Sequence, residues 1–327
     1  MNSLNIGLIG CGRAAEIIYL PALNNFPAIN LAAVVDPIEE RRNLISGNFK
    51  NCIKYSSLNS HLFDRIDAAI ICTPPETHIA LTYEFLKRNK FVLVEKPLAL
   101  STAGIKELIE IESSSKASLM MAFNHRYWQP IIDLKERLRT NSQVDLTEIV
   151  FTSDYTKWNP VSFISDPLDD LGPHVFDIIR FILEKEIISV SAKSSDPKNF
   201  EINVKVSDNK IVHCCLGHSE MTIRSLKVKS KRENFFITLK SARISPPSGK
   251  LRTIIDFKDR VKRKVMKKDL PIVMSYETQL KNFWDFVHFN KKDVAGIKDG
   301  IPAILAVQAA RLSYNNYGKE IFLNDIK

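Results

Sequence analysis

Asn5-Ile6-Gly7-Leu8-Ile9-Gly10-Cys11-Gly12-Arg13-Ala14-Ala15 is the stretch that decides the fold. A short apolar run of strand length ends in a pair of glycines, and a helical pattern follows through Leu23. The glycines form a GxGxxA pattern. Gly10 permits a tight turn, Gly12 lets a pyrophosphate approach the backbone, and Ala15 is small enough for helix–strand packing. An anion held there meets free amides and the positive end of a helix dipole. A purely structural strand–helix turn has the same glycine spacing; the strand before it and the helix after it favour a dinucleotide site.

Working outward, apolar runs at 31–35, 68–72, 91–94 and 118–123 are separated by helical stretches such as 78–88. Such alternation predicts a parallel sheet with helices on both faces, a doubly wound α/β domain. Asp36 closes the second run, 24 residues after Gly12, where a carboxylate can accept from a ribose 2′-hydroxyl. A carboxylate there repels a 2′-phosphate, so NAD is favoured, with NADP kept open by Arg41 and Arg42. Those arginines also read as a solvated helix face.

After about residue 145 the texture changes. Runs at 147–153, 187–192, 201–206, 211–216, 221–228, 235–240 and 251–257 read as consecutive strands of an open, largely antiparallel sheet, with turn formers such as Asp208-Asn209 between them. Helices are expected near 276–289 and 301–317. The expected division is residues 1–122 for the dinucleotide domain and 123–327 for an α/β domain with the second sheet.

Composition excludes several classes. The chain has 327 residues, 45% hydrophobic and 25% charged, which is ordinary for a globular protein and not for a disordered one. No apolar run reaches the roughly 18 residues that a bilayer span needs, and the N-terminus lacks the pattern of a secretory signal. The five cysteines show no CxxC spacing and read as reduced thiols. A cytoplasmic protein is expected. Of the net charge of +9, residues 224–268 alone supply +13, from 16 basic and 3 acidic residues.

Two further motifs carry chemistry. Glu95-Lys96-Pro97 ends the fourth apolar run, at the strand ends where ligands of doubly wound sheets bind. An ammonium held there can stabilise charge on a reacting oxygen; the plain alternative is a proline turn with Lys96 in solvent. Asp170-Leu171-Gly172-Pro173-His174-Val175-Phe176-Asp177 runs into an apolar helical stretch, with Asp170, His174 and Asp177 on one helix face. A histidine titrating near neutrality is a natural proton acceptor from a hydroxyl. The alternative makes Asp169 or Asp170 an N-cap and His174 a core histidine. The remaining histidines His61, His125, His213, His218 and His288 show no metal-ligand spacing, and no metal is expected.

In combination these residues resemble the Gfo/Idh/MocA family of nicotinamide-dependent oxidoreductases. The resemblance runs from Gly10-Cys11-Gly12 and Asp36 through Cys72-Thr73-Pro74-Pro75-Glu76-Thr77-His78, similar to a TPxxxH segment, to Glu95-Lys96-Pro97. It continues with Asn124-His125-Arg126-Tyr127 and Pro130, with Asp170-x-Gly172 to Asp177 around His174, and with Asp299-Gly300 and Ser313. It implies an N-terminal Rossmann domain and a C-terminal α/β domain whose open sheet often forms an oligomer interface, so a homo-oligomer, dimer or tetramer. It implies a catalytic trio of Lys96, Asp170 and His174. Gly10, Gly12, Arg13, Ala14, Asp36, Thr73, Pro75, Glu95 and Asn124 would line the cofactor, Arg126 and Trp158 would line the substrate site, and the bond before Pro97 would be cis.

The chain departs from the pattern at Asp166-Pro167-Leu168-Asp169, where many members carry Gly-Gly, so substrate identity is not carried over. In Leu226-Lys227-Val228-Lys229-Ser230-Lys231 the alternating lysines share one strand face and would repel a copy in a sheet-to-sheet dimer. The expected function is hydride transfer between a nicotinamide and a carbohydrate-type alcohol or ketone: a sugar, a cyclitol or a nucleotide-sugar. The basic stretch would steer an anionic substrate, or it is simply a solvated face. The alternative is a non-catalytic regulator that binds the dinucleotide. Nucleic-acid binding is disfavoured, because Phe235 and Phe236 are the only aromatics among those charges before Phe257.

Overall fold

The computed structural model describes residues 3–140, 144–154, 166–220, 222–230, 234–238, 241–245, 252–253 and 271–326. The chain divides into two compact units, Met1–Asn124 with Tyr276–Ile304, and His125–Ser275 with Leu305–Lys327. A single boundary at 122/123 does not describe the return of Tyr276–Ile304 to the first unit.

The first unit is built on six parallel strands: β1 (Leu4–Ile9), β2 (Ile29–Val35), β3 (Ile53–Tyr55), β4 (Ala68–Ile71), β5 (Phe91–Val94) and β6 (Leu119–Met121). Their order is β3-β2-β1-β4-β5-β6, so the winding reverses on either side of β1. At such a reversal the loops leaving neighbouring strands part and open a crevice. All four residues of β4 are buried, as expected where helices cover both faces of a parallel sheet. β3, with its half-exposed Ile53-Lys54-Tyr55, is an edge strand too short to stand out in the sequence. The later segment completes this unit. Met121 N–H donates to Ala295 O at 2.8 Å, and Ala295, Ile297, Ala303 and Ile304 join the core of Ile9, Ile71, Val94 and Met121.

The second unit carries a mixed sheet of nine strands among the described residues. They are β7 (Val144–Ser153), β8 (Ile187–Asp196), β9 (Asn199–Val206), β10 (Ile211–His218), β11 (Ile223–Ser230), β12 (Asn234–Thr238), β13 (Ser241–Ser245), β14 (Arg252–Thr253) and β15 (Ile321–Phe322). The order is β14-β13-β12-β11-β7-β10-β9-β8-β15. Only β7 and β10 pair in parallel. Along β9, Phe200, Ile202, Val204 and Val206 are buried and alternate with polar residues, which gives the sheet one apolar face. That face shares a core with Val175, Ile178, Ile179 and Ile182 of the helix Pro167–Leu183. The Asp208-Asn209 turn falls where the sequence places it, with Asn209 at φ 65°.

On β11, Leu226 and Val228 are buried while Lys227 and Lys229 point the other way. Across the strand pair, Lys227 stands opposite Glu148 and Lys229 opposite Asp145, and Lys227 Nζ lies 3.6 Å from Glu148 Oε2. The lysine face expected there is thus met by carboxylates of β7. Arg224, at the head of the stretch, is buried and donates to the carbonyls of Thr152 and Ile223; the basic side chains after Lys229, and Trp158, lie outside the described residues. Among the described residues no helix is long and apolar enough to cross a membrane.

Candidate active site

In the first unit, the loops leaving β1, β2, β4, β5 and β6 at their carboxyl ends carry every residue expected to line a cofactor, and Lys96 besides. Gly10 sits at φ 90°, and a Cβ there would stand 2.9 Å from both Thr73 Cγ2 and Thr73 N. The position therefore excludes any side chain on two grounds, backbone conformation and space. A Cβ at Gly12 meets nothing within 4 Å, so the turn is open there, as a group approaching the main chain requires. Arg13 is exposed and pairs with Glu16 at 2.8 Å. The helix that follows contains a π-type turn, Ala15–Tyr19, with Ala14 at its start and Ala15 and Tyr19 buried. Such turns are frequent at functional sites.

Asp36, 5% exposed, accepts from Cys11 N at 2.8 Å and from Ile38 N at 2.9 Å. Two amides thus fix the carboxylate against the glycine turn, and an ionised carboxylate has further lone pairs for ligand hydroxyls. Arg42 turns to the Asp36 carbonyl at 2.5 Å, and Arg41 is exposed. Open space at Gly12 and an acceptor at Asp36 fit a dinucleotide.

The next loops interlock. The buried His78 has Nδ1 2.8 Å from Pro97 O and Nε2 2.8 Å from Thr73 O, which ties the turn after β4 to the turn holding Lys96. Burial pushes the His78 pKa down, against the two carbonyls. The Cys72 thiol, raised well above its usual value by burial and then by Glu95, donates to Gly10 O at 3.0 Å. Glu95 accepts from Tyr19 Oη at 2.7 Å and from Lys96 N at 3.1 Å. Removal from water raises its pKa, and Tyr19 and Lys96 oppose that. Pro75 is buried at the head of a short turn, Asn124 is buried, and the Lys96–Pro97 bond is cis, as the resemblance implies.

In the second unit the helix Pro167–Leu183 carries Asp170 and His174. Its N-cap is Asp166, one turn earlier than the Asp169 or Asp170 of the capping alternative. Asp166 accepts from Leu168 N at 3.0 Å and Asp169 N at 3.1 Å, with Pro167 next in the first turn. Arg311 bonds both Asp166 and Asp169, the latter at 2.8 Å. The two carboxylates outweigh burial and hold the Arg311 pKa above its usual value. The Asp-Pro-Leu-Asp departure is thus a clamped helix start. Gly172 lets the helix pack closely, since a Cβ there would lie 3.2 Å from Val307 Cγ2.

Each polar residue of this helix meets a partner. His174, 7% exposed, has its Nδ1 3.3 Å from Nδ1 of His125. Asp170 Oδ2 lies 3.6 Å from Nε2 of His218, at the end of β10. Asp177 receives Arg126, Nε at 2.9 Å to Oδ2 and Nη2 at 2.5 Å to Oδ1. Arg126, expected to line a substrate, spends its Nε and Nη2 on this helix. His125 and His218 carry no local spacing that marks them. Their only signal is position, His125 beside Asn124 and His218 at a strand end. Among the described residues no cluster of three His, Cys, Asp or Glu is placed to hold a metal ion.

Residues 4–123 match the model of the Gfo/Idh/MocA oxidoreductase family, with an NAD-binding Rossmann fold. Inositol 2-dehydrogenase of Rhizobium meliloti (strain 1021) is 27% identical over 196 residues, 59% of either chain. Galactose 1-dehydrogenase of Pseudomonas fluorescens is 27% identical over 226 residues, 65% of this chain and 69% of that enzyme. The chain thus spans 59% of the length of the Rhizobium enzyme it matches. Among solved structures, an oxidoreductase from Agrobacterium radiobacter in complex with NAD+, L-tartaric acid and magnesium has a TM-score of 0.82 at 18% identity, covering 100% of both chains. Scyllo-inositol dehydrogenase from Lactobacillus casei with bound NAD(H) and scyllo-inositol has a TM-score of 0.78 at 16% identity, covering 99% of this chain and 100% of that one. At those identities the likeness is one of fold, and it takes in both sheets. Through residues 4–123 the chain is thus similar to the Gfo/Idh/MocA family of oxidoreductases and its NAD-binding Rossmann fold.

Proposed function

We propose that this protein is an NAD(P)-dependent dehydrogenase or reductase acting on a secondary alcohol or ketone of carbohydrate type (a sugar, a cyclitol or a nucleotide-sugar), with NAD preferred. The observation that carries the reading is His174, a buried imidazole held through Nδ1 on the same helix as Asp170, in a chain whose other unit has the Gly10–Gly12 turn and Asp36. The relatives named for inositol and galactose oxidation support the substrate class.

The Gly10–Gly12 turn and Asp36 would hold the pyrophosphate and ribose of a nicotinamide dinucleotide, which would supply the hydride acceptor. In the oxidative direction the carbinol C–H pair leaves as hydride, the hydroxyl proton goes to His174, and the carbon–oxygen double bond forms. Lys96 donates to the reacting oxygen and stabilises its charge, and Asp170 holds the substrate hydroxyl. Asp36 holds the adenosine ribose and disfavours a 2′-phosphate.

Fluorescence titration with NADH and NADPH, beside the Asp36→Ala variant, tests the first step. Micromolar NADH affinity, much weaker NADPH affinity and loss of that preference in Asp36→Ala are expected. A turnover screen over inositols, sugars and nucleotide-sugars, with Lys96→Ala as the blank, tests the second. Binding without turnover of any of them would leave a nucleotide-binding regulator, and binding of neither nucleotide would overturn the proposal.

A further inference from the structure

His125 reaches His174 from the turn Asn124–Tyr127, so its sequence position is remote from the helix it touches. The two rings stand with centroids 4.5 Å apart at 67°, and the Nδ1 atoms face each other at 3.3 Å. His125 is 3% exposed and packs against the Phe151 ring at 5.3 Å. The packing leaves both imidazoles little freedom to turn.

A hydrogen bond between two Nδ1 atoms constrains protonation, because one must carry the proton and the other must not. With Nδ1 committed to His125, Nε2 is the nitrogen through which His174 can exchange a proton with a hydroxyl. To be a base there, His174 must carry its own proton on Nδ1. We propose that His125 is a positioning residue that accepts this Nδ1–H, fixes His174 in the Nδ1–H tautomer, and takes up part of the charge when Nε2 is protonated. Geometry alone supplies the bond between the two Nδ1 atoms; that His174 is its donor rests on the dehydrogenase reading.

The proton inventory closes. Before reaction His174 holds a proton on Nδ1 and His125 one on Nε2, and both are neutral. The substrate hydroxyl proton adds to His174 Nε2, and the pair becomes a single cation. The bridging proton can then move from His174 Nδ1 to His125 Nδ1, leaving His174 neutral with Nε2–H and His125 as the imidazolium. The reverse path delivers a proton to an alkoxide in the reductive direction. In catalytic triads an aspartate holds the base in its tautomer in this way; here a neutral imidazole does so and can itself become the cation.

The test uses the full chain with 15N-labelled histidine, the His174 signals being assigned by their loss in His174→Gln. The Nδ1 and Nε2 shifts of a neutral imidazole report which nitrogen carries hydrogen, with no nucleotide or substrate present. Wild type is expected to show His174 protonated at Nδ1. His125→Asn, whose Oδ1 can accept the same bond, should keep that tautomer, and His125→Phe should lose it. In turnover, kcat is expected to fall roughly 10²-fold in His125→Phe with KM unchanged, and to recover most of that in His125→Asn. His174 found protonated at Nε2 in wild type, or unchanged in a folded His125→Phe, overturns the assignment. Absence of turnover in wild type with every alcohol tried would sink the dehydrogenase reading and leave the tautomer measurement to decide this one.

Discussion

The loop edge of the first unit and the histidine cluster of the second are made of different material. Around Gly10 the functional groups are mostly main chain: the Cys11 and Ile38 amides, the carbonyls of Gly10, Thr73 and Pro97, and one carboxylate pinned by amides. In the second unit they are side-chain pairs, His125 with His174, Asp170 with His218, and Arg126 with Asp177. A parallel sheet delivers loop ends in register, so an anion site can be cut from backbone at fixed spacing. A reacting hydroxyl needs groups that titrate and orient, and these must be gathered from elements far apart in the chain. Backbone shape should therefore govern the first region and side-chain chemistry the second.

The largest effect expected on that division is chemical. His174→Asn should lower kcat by about 10²–10⁴-fold while leaving the NADH dissociation constant unchanged; a loss of nucleotide binding would erase the division. Arg126→Leu strands the Asp177 carboxylate, whose side chain is only 1% exposed. A cost of about 3–5 kcal/mol is expected in urea unfolding, most of it regained in Arg126→Leu/Asp177→Leu. Gly10→Ala should cost about 2–4 kcal/mol, from the left-handed backbone and the collision with Thr73. Gly12→Ala, with open space at its Cβ, should stay within about 0.5 kcal/mol and weaken NADH binding alone. Equal stability losses at the two glycines would show that the turn is not shaped for a ligand.

Smaller effects sharpen the same contrast. His78 has its pKa lowered by burial, so between that value and about 6.5 the unfolded chain holds a proton that the folded one does not. Its contribution is complete above about pH 6.5 and is lost as pH falls through the window, at no more than about 1.4 kcal/mol per pH unit. Unfolding midpoints at pH 7.5 and 5.5 should converge in His78→Gln relative to wild type. Asp166→Ala should cost about 1 kcal/mol through the lost N-cap, read as a lower melting temperature with NADH affinity untouched.

The same contrast explains what the sequence disclosed. The glycine turn, Asp36 and Glu95-Lys96-Pro97 are local patterns whose structural meaning is local, and they stand where their spacing puts them. The pairings of His125 and His218 are not legible in the sequence, because a single histidine has no periodicity and each acts only opposite His174 or Asp170. β3 leaves no trace in the sequence because a three-residue edge strand without a buried residue carries no pattern. The capping alternative places the cap one turn too late because Asp166, Asp169 and Asp170 are all acceptable caps, and only the Leu168 and Asp169 amides separate them. The return of Tyr276–Ile304 to the first unit was hidden for another reason. Apolar spacing such as Leu280, Phe283, Trp284 and Val287 says that a helix packs, without saying on which core.

That return has a consequence for synthesis. The backbone bond from Met121 to Ala295, and the core positions of Ile297, Ala303 and Ile304, belong to the nucleotide unit but are translated after the whole of residues 125–275. Domains generally fold as units in the order in which they emerge from the ribosome. Here the unit that emerges first must wait, with the edge of β6 and part of its core unfilled, until its neighbour has been made. A nascent chain halted after residue 275 would hold its glycine turn and all six strands, with the β6 edge and part of the core still uncovered.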